Sequence, residues 1–164
     1  LPKRITYGGS RYHFDDDQET PDTGMASFDF DQCTTMWDQS SCNRRRSETP
    51  PFVSFYGEGG VLSMNTGNNY ILYDLDGKEM ERKSLPTSDA PHFANFINAI
   101  RNGEKLNSEI GDAQVSTLLC HLANIAWRTS GAVDFDPSKR RLIGNTNAAK
   151  LWARDYRPGW EPKP

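Results

Sequence analysis

Gln114, Thr117, His121, Asn124 and Arg128 follow one another at spacings of 3, 4, 3 and 4, which on an α-helix lines them along one stripe. Most of the residues between them, from Val115 to Trp127, are apolar, so the stripe is the polar face of an otherwise apolar helix. A water-facing strip ordinarily carries Glu and Lys. Imidazole and carboxamide groups instead combine donor and acceptor, which suits a hydroxyl held at a fixed place. Two readings stand side by side: a solvated strip, favoured by the frequency of such strips, and a cleft wall whose His121, Asn124 and Arg128 contact substrate.

The remaining candidates are weaker. Gly57-Glu58-Gly59-Gly60 follows an apolar run, but a dinucleotide fingerprint would need a third glycine at Leu62 and a helix where Val61 to Asn65 reads as a strand. A hairpin turn is expected. Asp15-Asp16-Asp17-Gln18-Glu19 lacks the spaced ligands and central glycine of a calcium loop and reads as a solvated acidic loop. Arg44-Arg45-Arg46 reads as a solvated basic loop. His13 and His92 are expected to be structural, no zinc spacing is present, and no serine sits in a G-x-S-x-G elbow. Cys33, Cys42 and Cys120 read as free thiols. No residue is assigned a catalytic, cofactor-binding or metal-binding role.

The elements that must position the stripe divide by period. Up to about residue 87 the chain reads as short strands, with Gly8-Gly9, Thr66-Gly67-Asn68 and Asp76-Gly77 as turns. Ala26 to Asp31 alternates, which predicts one buried face. Phe52 to Tyr56 and Tyr70 to Tyr73 are apolar on both faces and need cover on both sides. From about residue 88 the period becomes helical. Phe93, Phe96, Ile97 and Ile100 share one face of a helix entered at Asp89 and Pro91 and stopped by Gly103. A longer helix is predicted from about Ser108 to Ser130, with Val115, Leu118, Leu119, Leu122, Ile125 and Ala126 facing the core and Gly131 ending it. A third covers about Asn147 to Arg154, capped by Asn145 or Thr146. Strands first and helices afterwards predict one α+β domain over residues 1–164: an open, largely antiparallel sheet with helices on one face. Since the helices cover only one face, something else must cover the other, most simply a second copy of the chain in a homo-oligomer.

Composition narrows the partners. With 35% hydrophobic residues the chain can bury a core, and a formal charge of −3 with scattered Lys and Arg argues against nucleic acid. No apolar run is long enough to span a membrane, so a soluble chain is expected. Because it begins with Leu1, the chain is expected to start inside a longer gene product; the compartment stays open, with the cytoplasm favoured over export.

Three segments, taken together, resemble a known family. They are Glu19-Thr20-Pro21-Asp22-Thr23, His92-Phe93-x-Asn95-Phe96-Ile97-x-Ala99-Ile100-Arg101-x-Gly103, and Leu119-Cys120-His121-Leu122-x-Asn124-Ile125-Ala126-x-Arg128-Thr129. Phe135-Asp136-Pro137 and the closing Arg154-x-Tyr156-Arg157 extend the likeness. The chain is similar to the C-terminal domain of Gfo/Idh/MocA-type oxidoreductases, relatives of glucose-fructose oxidoreductase and inositol dehydrogenase. The resemblance implies a preceding N-terminal Rossmann domain holding NAD or NADP, a sugar or polyol handled in the cleft between the two, and oligomers formed on the open sheet face. The family's Glu-Lys-Pro segment and Asp-x-x-x-His helix are not in this sequence, and neither Glu19-Thr20-Pro21 nor Glu48-Thr49-Pro50 replaces the former. This chain alone is therefore expected to be inactive. Two alternatives stay open: a stand-alone binding or scaffolding domain, and a fragment of an NAD-dependent glycosidase.

Overall fold

The computed structural model describes residues 1–42 and 51–161. The basic run 44–46 and the segment 48–50 lie outside the described residues. The chain forms two compact units, one from Leu1–Asn43 with Ser108–Pro164 and the other from Arg44–Asn107. The architecture is α+β, and every strand pairing is antiparallel, divided between two open sheets.

In the first unit, β1 (Arg4–Ser10), β2 (Thr23–Asp29), β3 (Thr34–Ser40), β8 (Ala132–Asp136) and β9 (Arg141–Ile143) form a sheet in the order β3-β2-β1-β8-β9. The alternation read in β2 is observed: Ala26 and Phe28 are buried while Met25 is exposed. Gly8 and Gly9, expected in a turn, instead lie inside β1, opposite Met25 and Gly24. Close approach explains Gly9 and its partner Gly24, whereas the space beside Gly8 is open. A side chain at Gly9 would collide with the backbone of Thr23 and Gly24, and one at Gly24 with the Tyr7 ring. Two strands, β8 and β9, lie among the helices where only helix and tail were expected, because Ala132 to Asp136 is too short an alternation to register beside a long helical pattern.

Helix α2 (Ile110–Arg128) packs on β1 and β8 of this sheet. Leu118, Leu122, Ala123, Ile125 and Ala126 are buried with Ile5, Tyr7, Phe28, Val133 and Phe135, and Leu119 packs at their edge. Beyond its last turn the Gly131 amide bonds the Ala126 carbonyl at 2.7 Å. Helix α3 runs only from Thr146 to Lys150, shorter than the predicted Asn147 to Arg154, with the Asn145 side chain capping the Ala148 amide. The Leu151 and Trp152 amides bond the Ala148 and Ala149 carbonyls, tightening the last turn. From there the chain leaves the helix, with Trp152 tilted against Phe135 at 5.6 Å between ring centres.

The second unit holds β4 (Val53–Gly57), β5 (Gly60–Asn65), β6 (Asn69–Tyr73) and β7 (Glu79–Ser84) as a meander, followed by α1 (Ala90–Asn102). Glycines 57 to 60 make the expected β4–β5 hairpin, in which Gly57 opposes Gly60. Register places Val53, Phe55, Leu62, Met64, Tyr70 and Leu72 on one face. No residue of this sheet is fully buried by the chain, and Phe55 is 57% exposed. Helix α1 has the predicted limits, with Pro91 in its first turn and Gly103 left-handed at its end. Its apolar stripe, however, is not core: Phe93, Phe96, Ile97 and Ile100 are all exposed. A helical period of apolar residues shows that a face is to be covered, and none of the other described residues covers it. The one buried residue of α1 is Asn95.

Candidate functional site

One groove of about 720 Å³ runs along α2 within the first unit. Gln114, His121, Asn124 and Arg128 line its first wall, so four of the five residues of the polar stripe come together there. Thr117 does not: its hydroxyl bonds back to the Ala113 carbonyl at 2.8 Å. His121 is exposed, Asn124 half-buried, and the apolar Leu118 and Ile125 line the groove with them. Arg128 lies over the Trp127 ring, 5.5 Å from its centre, and its guanidinium donates to Glu19 at 3.3 Å.

The second wall is built by Thr20, by Lys150 at the end of α3 and by Leu151 to Arg154 and Tyr156 beyond it. Its position follows from the early end of α3, which turns Trp152 onto Phe135. Sequence reasoning missed these residues as site candidates. The available signal was Arg154-x-Tyr156-Arg157 and Glu19 to Thr23, noted as likenesses without a role. Arg154 lies over the Tyr156 ring at 5.4 Å. A second hollow of about 480 Å³, lined by Arg154, Tyr156, Arg157 and Trp160, shares two of these residues with the groove.

The loop that carries Glu19 and Thr20 is held by Asp22. Its side chain is fully buried and accepts from the backbone amides of Tyr12, His13 and Phe14, at 3.0, 2.9 and 3.1 Å to Oδ2. Burial by itself would raise this carboxyl. The three amides and the Thr23 hydroxyl outweigh it and hold Asp22 well below the usual carboxylate range. Gln18 and Gln39 donate to the Thr20 and Pro21 carbonyls and complete the brace. The Tyr7 hydroxyl, buried and without a hydrogen-bond partner among the described residues, is pushed up by burial and by the Asp22 charge.

The other sequence candidates do not join the groove. His13 stacks edgewise on Phe14 in the loop after β1, and His92 stands beside Phe93 on α1. In the acidic loop Arg11 donates to Asp16. Cys33, Cys42 and Cys120 are free. Among the described residues no helix is long and apolar enough to cross a membrane. The described residues do not fit a nicotinamide dinucleotide: the glycine cluster that would cradle its pyrophosphate is a hairpin between two strands, and α2 is entered through Glu109 and carries Asp112 in its first turn, which repel a phosphate.

Comparison with known proteins places this geometry. The chain matches, over residues 60–162, the model of the oxidoreductase family's C-terminal α/β domain. In structure it is similar to yvaA of Bacillus subtilis, provisionally assigned as an oxidoreductase, with a TM-score of 0.59 at 12% identity, covering 83% of this chain and 47% of that one. It is also similar to a Klebsiella pneumoniae protein of the same provisional assignment, with a TM-score of 0.63 at 8% identity, covering 92% and 46%. No curated protein matches the chain. The chain thus spans about half the length of each of these structures, and at such identities they speak for the fold alone. The match to the family's own domain goes further: this chain belongs to the Gfo/Idh/MocA oxidoreductase family, as its C-terminal α/β domain.

Proposed function

We propose that the chain is the substrate-side domain of an oxidoreductase that interconverts a sugar or polyol with its oxidised form using NAD or NADP. The observation that carries this reading is the groove along α2, where His121, Asn124 and Arg128 stand on one wall. Its volume lies within the roughly 300–1,000 Å³ range of small-molecule sites. The His121 imidazole can donate from one ring nitrogen and accept at the other, and the Asn124 carboxamide offers both functions without charge, so each can fix a hydroxyl. Arg128, tied to Glu19, sets the edge of the groove. None of the three has to move a proton. An N-terminal Rossmann domain of the intact protein would hold the nicotinamide, which would supply the hydride chemistry when bound.

The test is kinetic. In the intact protein His121→Ala and Asn124→Ala should each lower kcat/KM about tenfold or more, roughly 1.4 kcal/mol, with the fold retained. If both variants keep unaltered kinetics, the stripe is only a solvated face and the reading fails.

The same reading includes a homo-oligomer in which a second copy covers the face of β4 to β6 bearing Phe55, Leu62, Met64 and Leu72. The exposure of that apolar face supports it. Light scattering on the intact protein should give at least a dimer, and Phe55→Glu should shift it toward monomer. A monomer at tens of micromolar speaks against it.

A further inference from the structure

The charges of the segment that leads into and builds the second wall are one-sided. From Ser138 to Arg157 six residues are basic, namely Lys139, Arg140, Arg141, Lys150, Arg154 and Arg157, against the single acid Asp155, in a chain whose formal charge is −3. Lys150 and Arg154 line the groove, and Arg157 lines the hollow beside it. None of these three has a carboxylate partner among the described residues. Among the described residues no Asp or Glu lines either hollow. Glu19, beside Thr20 of the groove wall, is 81% exposed and already paired with Arg128.

Like charges gathered without counterions repel one another, and an anion bound between them relieves that repulsion. A guanidinium presents a fork of donors that matches a carboxylate or phosphoryl group, and an ammonium adds a point charge. Beside these cations stand the rings of Trp152 and Tyr156. Flat apolar surface of this kind packs against the C–H face of a pyranose. The opposite wall offers His121 and Asn124 to hydroxyls. Anion acceptor, ring platform and hydroxyl partners therefore lie in one groove.

We propose that the groove takes a sugar bearing an anionic group, a carboxylate or a phosphoryl ester, which Lys150 and Arg154 receive while the polar face of α2 holds the hydroxyls. This rests on the reading of the groove as the substrate site and narrows its substrate class.

The experiment titrates the intact protein with D-glucuronate, D-glucose 6-phosphate and D-glucose, following the NMR shifts of the groove residues. At least one anionic sugar should bind about tenfold or more tightly than glucose, and that advantage should shrink as salt is raised. Which anion leads separates a carboxylate site from a phosphoryl site. In the Lys150→Gln/Arg154→Gln double variant the ratio of affinities should fall to about one, whereas Lys139→Gln/Arg141→Gln, outside the groove, should preserve it. Circular dichroism checks that both variants fold. If all three sugars bind alike, or the advantage survives the double variant, the inference is overturned while the substrate-site reading stands. If none of the three moves the groove resonances, both fall.

Discussion

Replacing Asn95 by alanine removes three hydrogen bonds at once. The carboxamide nitrogen donates to the Glu104 carboxylate and to the Lys105 carbonyl, each at 2.9 Å, and the carboxamide oxygen accepts from the Asn107 amide at 2.9 Å. Asn95 is 5% exposed, whereas Glu104, Lys105 and Asn107 are exposed. At about 1 kcal/mol net per bond, with more for the charged acceptor, the gross loss is about 3 kcal/mol. The groups left behind can reach water, which reduces the expected cost to about 2 kcal/mol. The loss is local, so the assay is native-state hydrogen exchange at Asn107: its amide should lose protection by a factor of about 30. Asn95→Asp sharpens the test. It keeps an acceptor for Asn107 but sets a carboxylate against Glu104 and the Lys105 carbonyl. It should therefore be worse than alanine at neutral pH and recover as acidification protonates one of the two carboxylates. Unchanged protection at Asn107 in both variants would refute the view that Asn95 pins the chain to α1.

Three further outcomes are expected. Asp22 titrates lower in the folded chain than the unfolded value of about 3.9, so its stabilisation is complete above that value and is lost as pH falls through the folded one; Asp22→Asn should flatten the acid limb of the unfolding profile, and an unchanged limb refutes this. Leu122→Ala, at a side chain with 0% exposure, should cost about 2–5 kcal/mol by denaturant unfolding, whereas Phe96→Ala, 53% exposed on α1, should cost the isolated chain under about 1 kcal/mol; equal costs would contradict the exposed position of the α1 stripe. Calorimetry should find no saturable binding of NAD or NADP to this chain tighter than about 100 μM, and tighter binding would reveal a nucleotide site that the hairpin glycines do not explain.

Local chemistry was legible in the order of residues. The limits of α1, the core side of α2, the Asn145 cap and the β4–β5 hairpin each depend on neighbours within about one or two turns, where periodicity and capping act. The stripe on α2 was readable for the same reason, since one helix fixes which residues share a face. The family likeness of the motifs was legible too, and the family match agrees with it. What the sequence by itself could not decide was which surfaces meet. The apolar stripe of α1 announced a buried face, yet burial depends on a partner surface that no local pattern specifies, and here the stripe is open. Gly8-Gly9 read as a turn because glycine permits one, but only the pairing of β1 with β2 shows that at Gly9 and its partner Gly24 two backbones and the Tyr7 ring need the space. The second wall of the groove is the clearest case. Thr20 and Trp152 reach the same hollow from far apart in the chain, because Asp22 draws three amides onto one carboxylate and Phe135 holds the Trp152 ring. Spacing along a chain carries information about one element; juxtaposition of elements is set by packing and hydrogen bonds over long separations, and only the tertiary structure contains it.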